Sequence, residues 1–337
     1  MKGKIGLEEH YALEDTLEDS RPFVPPNLWP EARARLLDFQ ERRIAEMDRW
    51  GMELMLLSLN APAIQAIPDR KKAMDISVRS NDLMAAEIAK NPKRFQGLAA
   101  LAMQDPDHAC KELERCVKQL GFRGILVNGF SQIDDPENCV YLDDPRYRPF
   151  WALVSQLDVP FYLHPRNPLV SQSTCYKGAE WLLGPKWGFG NETAVHALRL
   201  MGSGIFDTHP HLKIIIGHMG EGIPFSLWRI DNHNAWMNLP NPYPAKHKLS
   251  YYFQNNFWIT VSGNFTSRSF SQAITGAASA YSGARRWGSA AAIGTERRKK
   301  SGASVVAWNE RGRFILWGKG NRGRVQRSRG LALVATG

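Results

Sequence analysis

The sequence predicts an α/β fold, a (β/α)8 TIM barrel for which it supplies no clear eighth strand. Three observations carry that expectation. Seven short apolar segments alternate with helix-like segments over residues 1–265. Strands that are apolar throughout, separated by helices, belong to a parallel sheet covered on its faces. No GxGxxG follows the first apolar segment, so a dinucleotide-binding sheet loses its main support. Polar residues also gather where the apolar segments end, at Glu8 and His10, Asn128, His164 and His218. C-terminal strand ends are where a barrel assembles its site.

Taken in order, "GKIGLEEH" is the first strand, followed by a long Pro-rich loop through Phe23 and Trp29. "EARARLLDFQERRIAEMDRWG" reads as one helix, with Leu37, Ile44, Met47 and Trp50 roughly on one stripe. "ELMLLSLN" is a strand, residues 71–91 a helix, and "RFQGLAAL" the third strand. In "DPDHACKELERCVKQLG" Asp105 caps a helix, Pro106 sits in its first turn and Gly121 ends it. Its apolar face is Ala109, Leu113, Cys116, Val117 and Leu120. "FRGILVN" is the fourth strand, and a helix around "PFWALVSQLD" leads to "VPFYLH", the fifth. A helix near "TAVHALRLM" leads to "LKIIIGH", the sixth; past a helix near "PFSLWRIDNHNAW", "FWITVSGN" is the seventh.

At 337 residues and 43% hydrophobic content the chain can bury a substantial core. Its first residues are too charged for a signal peptide, and no stretch is long enough to span a bilayer. Cys110, Cys116, Cys139 and Cys175 lack metal-type CxxC spacing, which points to reduced thiols and a cytoplasmic location. The net charge of +10 is unevenly spread. From Thr266 onward 14 Lys and Arg face only Glu296 and Glu310, whereas residues 1–265 carry a net of −2. The chain therefore divides into a near-neutral body, 1–265, and a basic segment, 266–337. Basic segments of this composition are more often disordered than specific for nucleic acid, so nucleic acid is not the expected partner.

Successive strand residues point to opposite faces, so Glu8 and His10 share one face and Glu9 takes the other. Alone, each of these histidines is more commonly structural than a ligand; several at one barrel mouth favour a metal site. Two His and a carboxylate leave open positions on a divalent ion, as catalysis requires. Glu221 follows His218 by three residues, at helical reach, and could orient the imidazole and keep it basic. Asn128 would be a neutral hydrogen-bonding group, and Arg229 either an anion anchor or an ordinary helix-surface charge.

"GKIGLEEHYAL", "LSLNAPAIQAIPDRKKA", "LVNGFSQ", "LDVPFYLHPRNPL", "IIIGHMGEGIPF" and "WRIDNHNAW" closely resemble the γ-resorcylate (2,6-dihydroxybenzoate) decarboxylases. These are non-oxidative aromatic decarboxylases of the amidohydrolase superfamily, related to aminocarboxymuconate-semialdehyde decarboxylase. The resemblance covers residues 1–265 almost without interruption. It implies an amidohydrolase-type barrel, one divalent ion (Mn2+ or Zn2+), commonly a homotetramer, and reversible decarboxylation of an ortho-hydroxybenzoate, 2,6-dihydroxybenzoate to resorcinol. By the same resemblance Glu8, His10 and His164 are metal ligands, His218 and Glu221 the paired catalytic residues, and Phe23, Asn128 and Arg229 line the substrate pocket. His10 bears on subclass, since the similar 2,3-dihydroxybenzoate enzymes tend to carry Ala after the paired Glu. The alternatives are a metal-dependent hydrolase of the same superfamily or an inactive barrel.

The resemblance stops after "VSGNF". There the family continues into an apolar strand ending in an Asp, to which it assigns the proton donor. Here Trp287 stands at the expected distance, and no Asp occurs from Thr266 to Gly337. Three readings compete: a basic interaction arm, a degenerate paralogue, or a frameshift in a GC-rich gene. The frameshift accounts best for the Arg, Gly, Ala and Ser bias. "SVVAW" or "RFILW" could fill the eighth position, but neither ends in an acid. Weak metal retention and reduced decarboxylation are expected of the chain as it stands.

Overall fold

Seven parallel strands form one continuous curled sheet in the computed structural model: β1 Lys4–Tyr11, β2 Met52–Leu59, β3 Phe95–Ala100, β4 Gly124–Asn128, β5 Phe161–His164, β6 Ile214–Ile216 and β7 Phe257–Ile259. The structure describes residues 4–264 other than 238 and 241, and the short strand pairs 308–309, 313–314 and 326–327. Each strand pairs in parallel with the next in sequence. One side chain from each strand (Leu7, Leu56, Leu98, Leu126, Tyr162, Ile215 and Trp258) meets in a buried inner cluster. Their neighbours, such as Ile125, Val127, Phe161, Leu163, Ile214 and Ile216, pack outward into the main core. Both strand faces are therefore buried, which is why these strands read as unbroken apolar runs.

At β1 the period-two expectation needs a correction. Gly6 is in register with Met55 but Glu9 with Leu57, so β1 carries one extra residue across this span. This β-bulge lets Leu7 join the inner cluster while Glu8, its immediate neighbour, approaches His164 and His218. Glu8 and His10 do come together, as alternation predicts, but the bulge re-aims them.

The segment expected as one helix from Glu31 to Gly51 is two, Trp29–Leu37 and Arg42–Trp50. Asp38 adopts extended backbone, and its carboxylate accepts from the amides of Glu41 and Arg43 at 3.3 and 2.8 Å, tying down the start of the second helix. The expected Pro-rich loop instead holds a short helix, Glu14–Leu17, and two 3-10 turns, Glu18–Phe23 and Pro26–Leu28. The helix Pro106–Lys118 starts as expected, with the Asp105 carboxylate accepting from His108 N at 2.9 Å. Sequence reasoning missed a hairpin, Ser131–Ile133 with Asp135–Val140, and the helix Leu249–Asn256.

Among the described residues no parallel strand follows β7. Instead Trp308 pairs antiparallel with Ile259, and two further antiparallel steps follow, Asn309 with Arg313 and Phe314 with Gln326. Trp308, the last residue of "SVVAW", thus lies beside β7 in the reverse direction, and Arg313 and Phe314, the first two of "RFILW", pair one strand further out. Trp287, at the expected place of the missing acid, lies outside the described residues. No described helix is long and apolar enough to cross a membrane.

Candidate active site

At the C-terminal ends of β1 and β5, His10 Nε2 and His164 Nε2 stand 3.0 Å apart, and Glu8 Oε1 lies 3.2 Å from the His164 nitrogen. Glu8 Oε1 is also 4.0 Å from His10 Nε2 and 3.5 Å from His218 Nε2, which enters from the turn after β6. One ligand atom each from Glu8, His10 and His164 falls within a 4.8 Å group. The metal ligands expected from the sequence are therefore brought together by three-dimensional structure.

Electrostatics prepare this group for a cation. Burial lowers the His10 pKa to about 3, helped by the nearby His164, so its imidazole is neutral and has a lone pair to offer a cation. Its Nδ1 pairs with Ser58 Oγ at 3.1 Å, and donates when Nε2 carries the lone pair. Burial works to raise the Glu8 pKa, but hydrogen bonds with His164 and His218 overcome it and hold the carboxyl ionised, well below its ordinary range. A carboxylate and two imidazole nitrogens in one group, with two ring nitrogens at 3.0 Å, fit a divalent ion. Arg43 fixes the end of β1 by donating to the His10 carbonyl at 2.7 Å.

His218 and Glu221 meet as the spacing predicts, with Nδ1 and Oε1 2.5 Å apart, but not on a right-handed helix. Five consecutive residues, His218 to Gly222, have positive φ. Left-handed backbone costs a non-Gly residue roughly 1–3 kcal/mol, and here His218, Met219 and Glu221 all adopt it. Gly220 and Gly222 relieve two of the five positions. The amides of Gly220 and Met219 staple the turn, donating to Gly217 O and Thr260 O at 2.8 and 2.9 Å. Burial would lower the His218 pKa, but hydrogen bonds with Glu221 and Glu8 outweigh it and raise it to about 10.

Asn128 is the register partner of His164 and is 2% exposed. Its Nδ2 donates to the Asn60 and Pro62 carbonyls at 2.9 and 3.3 Å, while the buried Oδ1 has no partner among the described residues. Phe23 is half-buried and meets Phe189 edge to face at 5.0 Å. The residue after Phe189 is Gly190, where an added Cβ would lie 2.8 Å from Glu221 Oε2, so this aromatic pair adjoins the His218–Glu221 turn. Arg229 is exposed on the helix Ile223–Trp236, the position of a surface charge in the single chain. Sequence reasoning missed Ser58, Arg43, Tyr162 and Thr260; the first three sit in or beside runs that read as ordinary core or helix.

A parallel barrel with a carboxylate, two imidazoles and an oriented third histidine at its mouth is the architecture of metal-dependent hydrolases and lyases. The chain belongs to the amidohydrolase family, whose pattern matches residues 22–284. It is 59% identical over 274 residues to the gamma-resorcylate decarboxylase of Rhizobium radiobacter, covering 81% of this chain and 84% of that protein. A crystal structure of 2,6-dihydroxybenzoate decarboxylase complexed with 2,6-dihydroxybenzoate superposes with a TM-score of 0.81 at 58% identity, covering 82% of this chain and 86% of the other. A dihydroxybenzoic acid decarboxylase from Polaromonas sp. JS666, with bound manganese and the inhibitor 2-nitroresorcinol, gives 0.80 at 59% identity, covering 82% and 83%.

Proposed function

We propose that the chain is a carboxy-lyase for an ortho-hydroxybenzoate, with 2,6-dihydroxybenzoate as substrate, resorcinol and CO2 as products, and Mn2+ or Zn2+ held by Glu8, His10 and His164. The observation that carries this reading is the convergence of Glu8 Oε1 with the Nε2 atoms of His10, His164 and His218. It occurs in a chain 59% identical to a gamma-resorcylate decarboxylase.

Losing CO2 from an aryl carboxylate requires a proton on the ring carbon that bears it, which breaks aromaticity until CO2 leaves. The ion, when bound, supplies positive charge that favours an ortho phenolate and its electron release toward that carbon. The orphaned Oδ1 of Asn128 supports a role for it as acceptor for a second ring hydroxyl. His218 is the residue that holds a proton here, kept cationic by Glu221 and Glu8. Phe23 and Phe189 offer aromatic surface for the ring. A homotetramer fits the same reading, because Phe225, Trp228 and Trp236 are exposed on one helix. Four free cysteines fit a cytoplasmic location.

The test is CO2 release from 2,6-dihydroxybenzoate by the Mn2+-loaded protein, run beside ester, lactone and amide hydrolysis. Hydrolysis without CO2 release would overturn the proposal. A second comparison addresses the segment after Phe265. A chimera whose C-terminus supplies an eighth-strand Asp is expected to turn over about 10²–10⁴-fold faster, the usual worth of a positioned acid. Equal turnover in both proteins would remove the missing acid from the argument.

A further inference from the structure

We infer that Tyr162 is a positioning residue for the metal centre: its hydroxyl donates to Glu8 Oε2 at 2.6 Å and thereby fixes Glu8 as a ligand through Oε1 alone. The inference rests on reading Glu8, His10 and His164 as metal ligands.

Tyr162 lies on β5 two residues before His164, and its ring belongs to the inner cluster, 1% exposed. Six of the seven residues in that cluster are aliphatic or Trp, and Tyr162 alone among them carries a hydroxyl. Burying a phenol hydroxyl without a partner is costly, so its placement needs an acceptor. Glu8 supplies it. Thr260 Oγ1 lies 3.3 Å from the same hydroxyl, so with Tyr162 donating to Glu8 the threonine donates to Tyr162. Thr260 is 1% exposed and immediately follows β7, so the chain Thr260–Tyr162–Glu8 crosses the inside of the barrel from β7 to β1.

The neighbouring backbone leaves room for this arrangement. A Cβ added at Gly217 would stand 3.1 Å from the Tyr162 hydroxyl and 3.3 Å from Glu8 Oε2. The geometry divides the carboxylate into two functions. Oε2 is engaged by the phenol, while Oε1 faces the nitrogens of His164, His218 and His10 at 3.2, 3.5 and 4.0 Å. Freed of the phenol, Glu8 could rotate about its last bond and present both oxygens or turn away. Partners that orient a metal ligand typically contribute about 10–100-fold in metal affinity.

The experiment is Mn2+ titration calorimetry of the metal-free full chain, the Tyr162→Phe variant and the Thr260→Val variant, with metal-free thermal midpoints measured in parallel. Tyr162→Phe is expected to bind Mn2+ about 10–100-fold more weakly, and Thr260→Val a few-fold more weakly. Co2+-loaded Tyr162→Phe should also show shifted d–d bands, which loss of packing alone would not produce. Parent-like Mn2+ affinity and Co2+ spectrum in folded Tyr162→Phe would overturn the inference while leaving the metal site intact. Should Tyr162→Phe not fold, parent-like affinity in Thr260→Val overturns it. A parent chain that binds no Mn2+ would overturn the reading beneath it.

Discussion

Glu8→Gln is expected to strip the protein of its divalent ion and to lower CO2 release by about 10³-fold or more. The substitution keeps the shape of the side chain and can still accept from Tyr162, so it removes charge and little else. Glu8 supplies the carboxylate of the group, and the other two members are histidines. Partners one contact further out already cost about 10–100-fold in metal affinity, and an anionic ligand should cost more. The ion, when bound, would also favour the ortho phenolate whose electron release activates the reacting carbon. The check pairs metal content after gel filtration with turnover at saturating 2,6-dihydroxybenzoate. A variant that keeps both a full equivalent of metal and parent turnover would refute the assignment of Glu8.

The second large effect concerns the proton on His218. In Glu221→Gln, kcat is expected to fall about 10²–10⁴-fold, with the alkaline limb of the pH–rate profile moving to lower pH. Burial by itself lowers the His218 pKa; hydrogen bonds with Glu221 and Glu8 raise it to about 10. A histidine whose folded pKa stands above its unfolded value of roughly 6.5 stabilises the native state fully below that unfolded value. The contribution then fades as pH rises through the folded pKa, about 10 here. Parent activity that depends on this proton is accordingly flat through neutrality and lost in the alkaline range. Without the Glu221 carboxylate one of the two stabilising anions is gone, so deprotonation occurs earlier. An unshifted limb in Glu221→Gln would dissociate Glu221 from the proton.

Much of this architecture was legible because strands and helices impose different periods on the chain. Continuous apolar runs ending in Glu8, Asn128, His164 and His218 marked the barrel and its mouth, since burial on both faces leaves polar residues only at strand ends. Other features depend on contacts that no local pattern encodes. The bulge in β1 that places Leu7 and Glu8 together is set by pairing with β2. The break at Asp38 depends on one carboxylate choosing backbone amides over solvent. The left-handed turn at His218–Gly222 left a trace only in its two glycines, because nothing in His, Met or Glu announces a positive φ. Tyr162 was invisible for a different reason. Within "VPFYLH" an aromatic residue reads as core, and it is core; its hydroxyl acquires a role only when β1 is folded across from it.

The seam beside β7 gives the metal site a second significance. His10 and His164 are 154 residues apart in sequence, and β1 has no parallel partner on its outer edge among the described residues. An ion held by both would act as a cross-link, closing a long loop and tying the edge strand β1 to the interior strand β5. Ligand occupancy of the native state at a hundred times the dissociation constant is worth about 2.7 kcal/mol. Chelation should therefore lower the thermal midpoint of the chain as well as silence it, with the clasp released at β1, an edge of the described sheet.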